Sequence, residues 1–275
     1  MRFGFVLPGG TAQEQLEQAA LADRSGWDAV FVWEAAFGID AWSLLAAMSQ
    51  RTERVQLGTM LTPLPWRRPW KVASQAATLD QLSGGRAIVA VGLGAPDPSL
   101  GEVGEPVDKK ERAALLDDGI DIMTKLWAGD GRHEGARYDI DFTNADRLLD
   151  VGKPAGRERV PIWCVGAWPF EKSMRRILRC DGLLPYAPGQ DLTPEIVRQM
   201  ITWLDDHGGR RPGFDVVQEG ETPGDDPVKA REIVTPWADA GATWWLEAHW
   251  MIEGDADHRR KVVTERIEAG PPPVS

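Results

Sequence analysis

"VQLGTMLTPLPWRRPWKVASQAATLDQLSGGRAIVAVGLG", from Val55 to Gly94, holds two short apolar runs with an amphipathic stretch between them. The first run closes on Gly58-Thr59-Met60-Leu61-Thr62-Pro63, the second on Gly92-Leu93-Gly94. Aliphatic runs without polar alternation mark strands covered on both faces, as in a parallel sheet. The intervening "RRPWKVASQAATLDQLS" reads as a helix stopped by Gly84-Gly85. The unit is strand, helix, strand. Both strands end in small or special residues, and Arg67, Arg68 and Lys71 crowd beside the first end.

The same unit recurs in both directions. Upstream, "RFGFVLP" and "DAVFVWE" read as strands, and Thr11 with Glu14 three residues later forms a capping-box pattern for the helix between them. Downstream, "VPIWCVG", "DGLLPY", "FDVVQEG" and "ATWWLEAHW" read as strands, each followed by a helical stretch. Thr193-Pro194 opens one of these helices, and Pro236 is expected to kink another. Eight strands each followed by a helix predict an α/β protein of the (β/α)8 TIM-barrel class. An open doubly wound sheet is the rival, but it wants G-x-G-x-x-G after the first strand, where this chain has only Pro8-Gly9-Gly10. The expected organisation is one domain over 1–270, with a polar insert around 130–159 and a disordered tail at 271–275.

The 275 residues carry a net charge of -11, which argues against a nucleic-acid partner. The N-terminus has no signal-peptide pattern, and no apolar run approaches the roughly 20 residues that cross a bilayer. Cys164 and Cys180 form no CxxC pair, so reduced thiols in a cytoplasmic protein are expected. Tryptophan is in surplus at 13 residues, enough to fill a bulky core or to wall a pocket for a flat ligand.

In a barrel of this type, chemistry sits where strands end and helices begin. Those ends hold Trp33 and Glu34; Met60 to Pro63; Gly92 to Ala95; Val165 to Trp168; Tyr186; Gln218 and Glu219; and Glu247, His249 and Trp250. Gly166-Ala167, with Arg175 and Arg176 further on, form a candidate phosphate seat at a helix mouth. Trp33, Trp168, Trp250 and Tyr186 offer flat apolar walls. Glu34, Glu219 and Glu247 read equally as solvated acids or ion-pair partners, and His249 as a hydrogen-bonded core histidine. Neither a Ser-His-Asp order, nor HExxH, nor metal-ligand spacing is present, so no metal site is expected and a bound ligand supplies the hard chemistry.

These stretches, with "GWDAVFVWE", "VPIWCVGAWPFEKSMRRILRCDGLLP" and "FDVVQEGETPGDDPVKAREIVTPWADAGATWWLE", strongly resemble the bacterial luciferase-like oxidoreductases. The resemblance is thinnest between Pro96 and Arg159, where substrate specificity is expected to lie, in 97–106 and 130–159. It implies a (β/α)8 barrel binding coenzyme F420, a deazaflavin, or FMN, with the ring at the barrel mouth. A non-proline cis peptide is implied within Thr59-Met60-Leu61, backing that ring, and Thr62, Gly92 and Gly94 join the cofactor set. The implied phosphate contacts fall on Val165, Gly166, Ala167 and Trp168. Many family members carry a histidine after the second strand; here Glu34 is followed by alanines, leaving Glu34, Glu247 or His249 as catalytic candidates. The expected activity is hydride transfer between F420, favoured over FMN, and a small organic substrate. An FMN-dependent monooxygenase, a non-catalytic flavin-binding relative and a cofactor-free barrel are the alternatives. A homodimer is the expected assembly.

Overall fold

The computed structural model describes residues 1–95, 99–144 and 146–273. Its elements in chain order are β1 (Arg2–Leu7), α1 (Ala12–Arg24), β2 (Ala29–Val32), α2 (Ala41–Ser49), β3 (Gln56–Pro63), α3 (Pro69–Ser83), β4 (Ala87–Gly92), α4 (Ser99–Glu102) and α5 (Lys109–Trp127). A small excursion follows, of β5 (Arg132–Glu134), β6 (Asp139–Asp141) and α6 (Asp146–Val151). The chain then resumes with β7 (Ile162–Ala167), α7 (Glu171–Ile177), β8 (Gly182–Tyr186), α8 (Pro194–Asp206), β9 (Asp215–Gly220), α9 (Pro227–Asp239), β10 (Trp244–Ala248) and α10 (Ala256–Glu268). The parallel strands close in the order β1-β10-β9-β8-β7-β4-β3-β2. The closed ring excludes the open doubly wound sheet.

Local chemistry sets the element ends. Thr11 Oγ1 accepts the Glu14 amide while Glu14 Oε2 accepts the Thr11 amide, so the capping box is complete. Thr193 caps α8 with Pro194 in its first turn. Gly84 ends α3 at φ 67, the left-handed cap that glycine adopts without penalty. α9 continues through Pro236 to Asp239 as a single helix.

Two apolar layers follow from strand alternation. Phe5, Leu7, Val30, Val32 and Leu57 face the helices. Phe31, Ile88, Trp163, Val217, Trp244 and Leu246 face inward. Inside the ring, Phe31 and Trp163 lie 5.3 Å apart and Trp163 and Trp244 5.4 Å apart, centroid to centroid. Such rings leave little space between strands. A Cβ at Gly58 would sit 2.6 Å from the Ile88 carbonyl, and one at Gly182 would sit 2.4 Å from Trp163. Some of the surplus tryptophan is therefore core. Trp27, Trp163 and Trp244 are among the largest fully buried side chains.

The polar insert forms the β5–β6 hairpin, and carboxylates on two helices help to tether it. The Asp118 carboxylate on α5 accepts the backbone amides of Ala136, Arg137 and Tyr138. Buried Asp80 on α3 accepts the Ala155 amide and pairs with Arg157. The tail expected to be disordered is likewise engaged at its start: Pro272 is buried and the Pro273 carbonyl accepts from Arg231. Val274 and Ser275 lie outside the described residues, as do Asp97 and Pro98 of the expected specificity segment.

Candidate active site

The C-terminal rim of the barrel is irregular at one strand. β3 pairs with β4 as Thr59↔Val89 and then Thr62↔Val91, so one extra residue enters β3 between them. This bulge re-aims side chains. Met60 and Leu61, joined by a cis peptide, both pack with the barrel-interior cluster. Thr59 and Thr62 are buried and turn away from the interior. Thr62 Oγ1 donates to Glu34 Oε2 at 2.7 Å and lies 3.0 Å from Thr59 Oγ1. The two threonines brace the bulge from behind, and Met60-Leu61 is the part that meets the mouth.

Glu34 belongs to that brace. Its carboxylate also accepts from Trp42 Nε1 at 3.2 Å and faces Arg67 at 2.7 Å. Burial pushes its pKa above the ordinary value, opposed by the Arg67 charge. Arg67 is thereby committed to Glu34 and to Gln75, and is not free to receive an anionic tail.

Next to the bulge a cavity of about 520 Å³ opens at the ends of β3, β4, β7 and β8. Leu61, Val165, Ala167 and Tyr186 line its mouth side, and Lys109, Arg112, Ser173 and Arg176 its outer side. Arg176 is paired with Asp117 through two 2.9 Å hydrogen bonds. Arg112 is different. It is 7% exposed, and among the described residues its Nη1 reaches only the carbonyls of Leu93, Gly94 and Ala95 at 3.3 Å, while its Nε has no partner. Among the described residues no carboxylate pairs with it. A buried cation without a counter-charge is costly, and an anion entering the cavity removes that cost.

The expected phosphate contacts divide. Val165 and Ala167 face the cavity. Gly166 points the other way: a Cβ there would lie 2.4 Å from Leu183 and 3.3 Å from Met174, so packing against the outer layer already requires glycine. The amides at 167 and 168 are engaged, Ala167 N–H with Ser173 Oγ at 2.9 Å and Trp168 N–H with the Tyr186 carbonyl at 2.8 Å. Gly92 lies at the mouth between Leu61 and Val165, while Gly94 packs under Trp66. Positive charge at the cavity is carried by side chains, Arg112 among them. Its signal in the sequence was a charged residue on the buried stripe of a helix, in step with Leu116, Ile120 and Met123.

On the last strand, Glu247 is in register with Phe5 and so points to the helix layer, away from the mouth. It is fully buried and saturated. Thr222 donates both its amide, at 2.6 Å, and its hydroxyl, at 2.7 Å, while Arg266 lies at 3.1 Å and His249 Nε2 at 3.0 Å. Against the opposing effect of burial, His249, Arg266 and Thr222 hold its pKa below the ordinary value. His249 lines a different cavity, beside α1 and α10. Glu219, by contrast, is in register with the interior residue Leu246 and points to the mouth. Among the described residues its one side-chain partner is Trp250 Nε1 at 3.0 Å, and burial raises its pKa. Among the described residues no group of three or more His, Cys, Asp or Glu is placed to hold a metal.

A closed parallel barrel, a bulged third strand at its mouth and a cavity with basic side chains beside that bulge define the class: a (β/α)8 barrel with its pockets at the C-terminal rim. The chain matches the luciferase-like monooxygenase family over residues 1–266 and belongs to it. Rv3520c of Mycobacterium tuberculosis, named for coenzyme F420-dependent oxidoreduction, is 32% identical over 209 residues, covering 73% of this chain and 57% of that one. An F420-dependent glucose-6-phosphate dehydrogenase of Rhodococcus erythropolis is 36% identical over 298 positions, covering 94% of this chain and 85% of its own. Against several curated relatives the chain spans about half their length, at 57%, 49% and 46%. The solved F420-dependent secondary alcohol dehydrogenase carrying an F420–acetone adduct shares the fold, with a TM-score of 0.67 at 20% identity over 98% of this chain and 84% of that one. Among the described residues no helix is long and apolar enough to cross a membrane.

Proposed function

We propose that the chain is an oxidoreductase that binds coenzyme F420, or FMN in its place, and moves a hydride between it and a small organic substrate. Arg112 at the outer end of the bulge-side cavity, buried and with no carboxylate partner among the described residues, carries this reading. The cavity joins an apolar mouth at Leu61 and Val165 to a buried cation, and so fits a flat head with a negatively charged tail. The relatives named for F420 tilt the choice toward the deazaflavin. When bound, the cofactor supplies a ring that accepts or delivers two electrons and a hydrogen at carbon or nitrogen.

The chain's residues hold, orient and exchange protons around it. Met60 and Leu61 back the ring, Arg112 with Ser173 receives the anionic tail, and Thr59, Thr62, Glu34 and Arg67 keep the bulge in place. Glu219 handles the proton at the mouth, where burial and one indole partner set its carboxyl apart from the saturated Glu247. Glu34 acts as a positioning group and His249 stands outside the chemistry. We assign the enzyme to the cytoplasm and to a homodimer, and give it neither a nucleic-acid nor a membrane partner.

Equilibrium titration with F420 and with FMN tests the reading. Binding of either is expected, and Arg112→Met is expected to weaken it at least tenfold, equivalent to about 1.4 kcal/mol, without lowering the melting temperature. Absence of binding to both cofactors overturns the proposal. An FMN-dependent monooxygenase is the second reading, favoured by a relative named 4-hydroxyprotoasukamycin monooxygenase from Streptomyces nodosus subsp. asukaensis. Oxygen consumption with reduced FMN, and none with the reduced deazaflavin, separates it.

A further inference from the structure

Glu219 stands between two cavities of the rim. One, of about 620 Å³, lies between the β1–α1 turn, the end of β10 and the helices α1 and α10, and Trp250 forms part of its wall. The other is the bulge-side cavity. β8 pairs with β9 as Gly182↔Asp215 and Leu183↔Val216, a register that brings Tyr186, a residue of that cavity, level with Glu219.

The two oxygens of this carboxylate are unequal. Oε2 accepts the indole N–H of Trp250 at 3.0 Å. Oε1 accepts from none of the described residues and is not sealed from solvent. Of the titratable groups at the neighbouring strand ends, Glu247 faces the helix layer with His249 at 3.0 Å, and Glu221 lies 3.6 Å from His249 Nδ1. Among the described residues none of these, nor Tyr186, pairs with Glu219. Burial raises its pKa, and the indole opposes that rise.

An indole suits this place. It donates one hydrogen bond, accepts none and does not titrate. A cation holds a carboxylate ionised, as Arg266 helps to do for Glu247. A neutral donor instead fixes one oxygen and leaves the other able to gain and lose a proton. Trp250 is itself 45% exposed, and among the described residues this is its one side-chain hydrogen bond.

We propose that Trp250 is a positioning residue for Glu219: its N–H pins Oε2 and so aims Oε1 into the mouth, as the oxygen that takes up and releases the proton. The part in turnover rests on the oxidoreductase reading; the pinning of the carboxylate does not.

Carbon-13 NMR of the full chain without cofactor, labelled at the glutamate side-chain carboxyls and assigned with Glu219→Gln, follows the titration of this one group. Replacing Trp250 by 3-benzothienylalanine puts sulfur where the N–H was and keeps the shape of the ring. Without the donor the ionised form loses support, so the Glu219 midpoint is expected to move to higher pH, by about threefold or more in proton concentration, with the melting temperature unchanged. Trp250→Phe is expected to act in the same direction, and it carries the test if the sulfur analogue is not incorporated. A midpoint that loss of the N–H leaves in place overturns the proposal. Titration with F420 and with FMN is expected to match the wild type, because Trp250 lies outside the bulge-side cavity; weakened cofactor binding in the variants overturns it as well. Wild-type protein that binds neither cofactor sinks the oxidoreductase reading and leaves the pinned carboxylate standing, whereas a fixed midpoint in protein that binds cofactor sinks the role of Trp250 alone.

Discussion

Two carboxylates near the rim, Glu219 and Glu247, differ in what surrounds them, and their pKa values move in opposite directions for that reason. Glu247 has its ionised form secured by Thr222, Arg266 and His249. A carboxyl held below its unfolded pKa stabilises the fold above that pKa, and loses the contribution as pH falls through the lower, folded value. Glu247→Gln is therefore expected to lower unfolding free energy by about 3–5 kcal/mol at pH 7, the usual cost of breaking a buried pair. The gap should narrow as denaturation is repeated at successively lower pH below the ordinary carboxylate range. Glu219 has the reverse sign. Its raised pKa makes ionisation unfavourable in the fold, so it costs stability as pH rises from the ordinary value to the folded one. Glu219→Gln is expected to be neutral or stabilising at pH 7 in thermal melts, yet to reduce turnover by about 100-fold or more, in the range of general acid–base catalysis. Unchanged turnover would remove Glu219 from the chemistry.

At the level of elements, the bulged end of β3 explains why Gly-Thr-Met-Leu-Thr-Pro is not an ordinary strand ending. Thr59 and Thr62 look equivalent to Met60 and Leu61 in a list of rim residues, but the extra residue turns the threonines to the back and both apolar residues to the front. Thr62→Val keeps the shape and removes the hydroxyl that Glu34 accepts. The expected result is a loss of about 1–3 kcal/mol in denaturant melts, with weaker cofactor binding as the bulge loosens. The strand–helix alternation, the capping box at Thr11 and the turn at Gly84-Gly85 were legible because each depends on neighbours in the chain. The directions of Gly166, Glu247 and Glu34 were not, since facing depends on register with partner strands distant in sequence. Arg112 is hidden for a related reason: only packing reveals that a cation in a charged stretch, Lys109 to Arg112, is buried with no carboxylate partner among the described residues.

For the molecule as a whole, closure of the barrel was readable from the repeated unit, whereas its filling was not. Trp163, Trp244 and Phe31 plug the axis, and glycines on neighbouring strands accommodate them. The insert was harder still, because its anchors are single carboxylates on α3 and α5 that composition does not reveal. Asp118→Asn is expected to loosen the β5–β6 hairpin and raise amide hydrogen exchange across 132–141, with little change in the barrel strands. Because the axis is solid, nothing can traverse the barrel from end to end, and all traffic uses one rim. The two cavities open on separate arcs of that rim, so a molecule leaving one has no need to pass through the other.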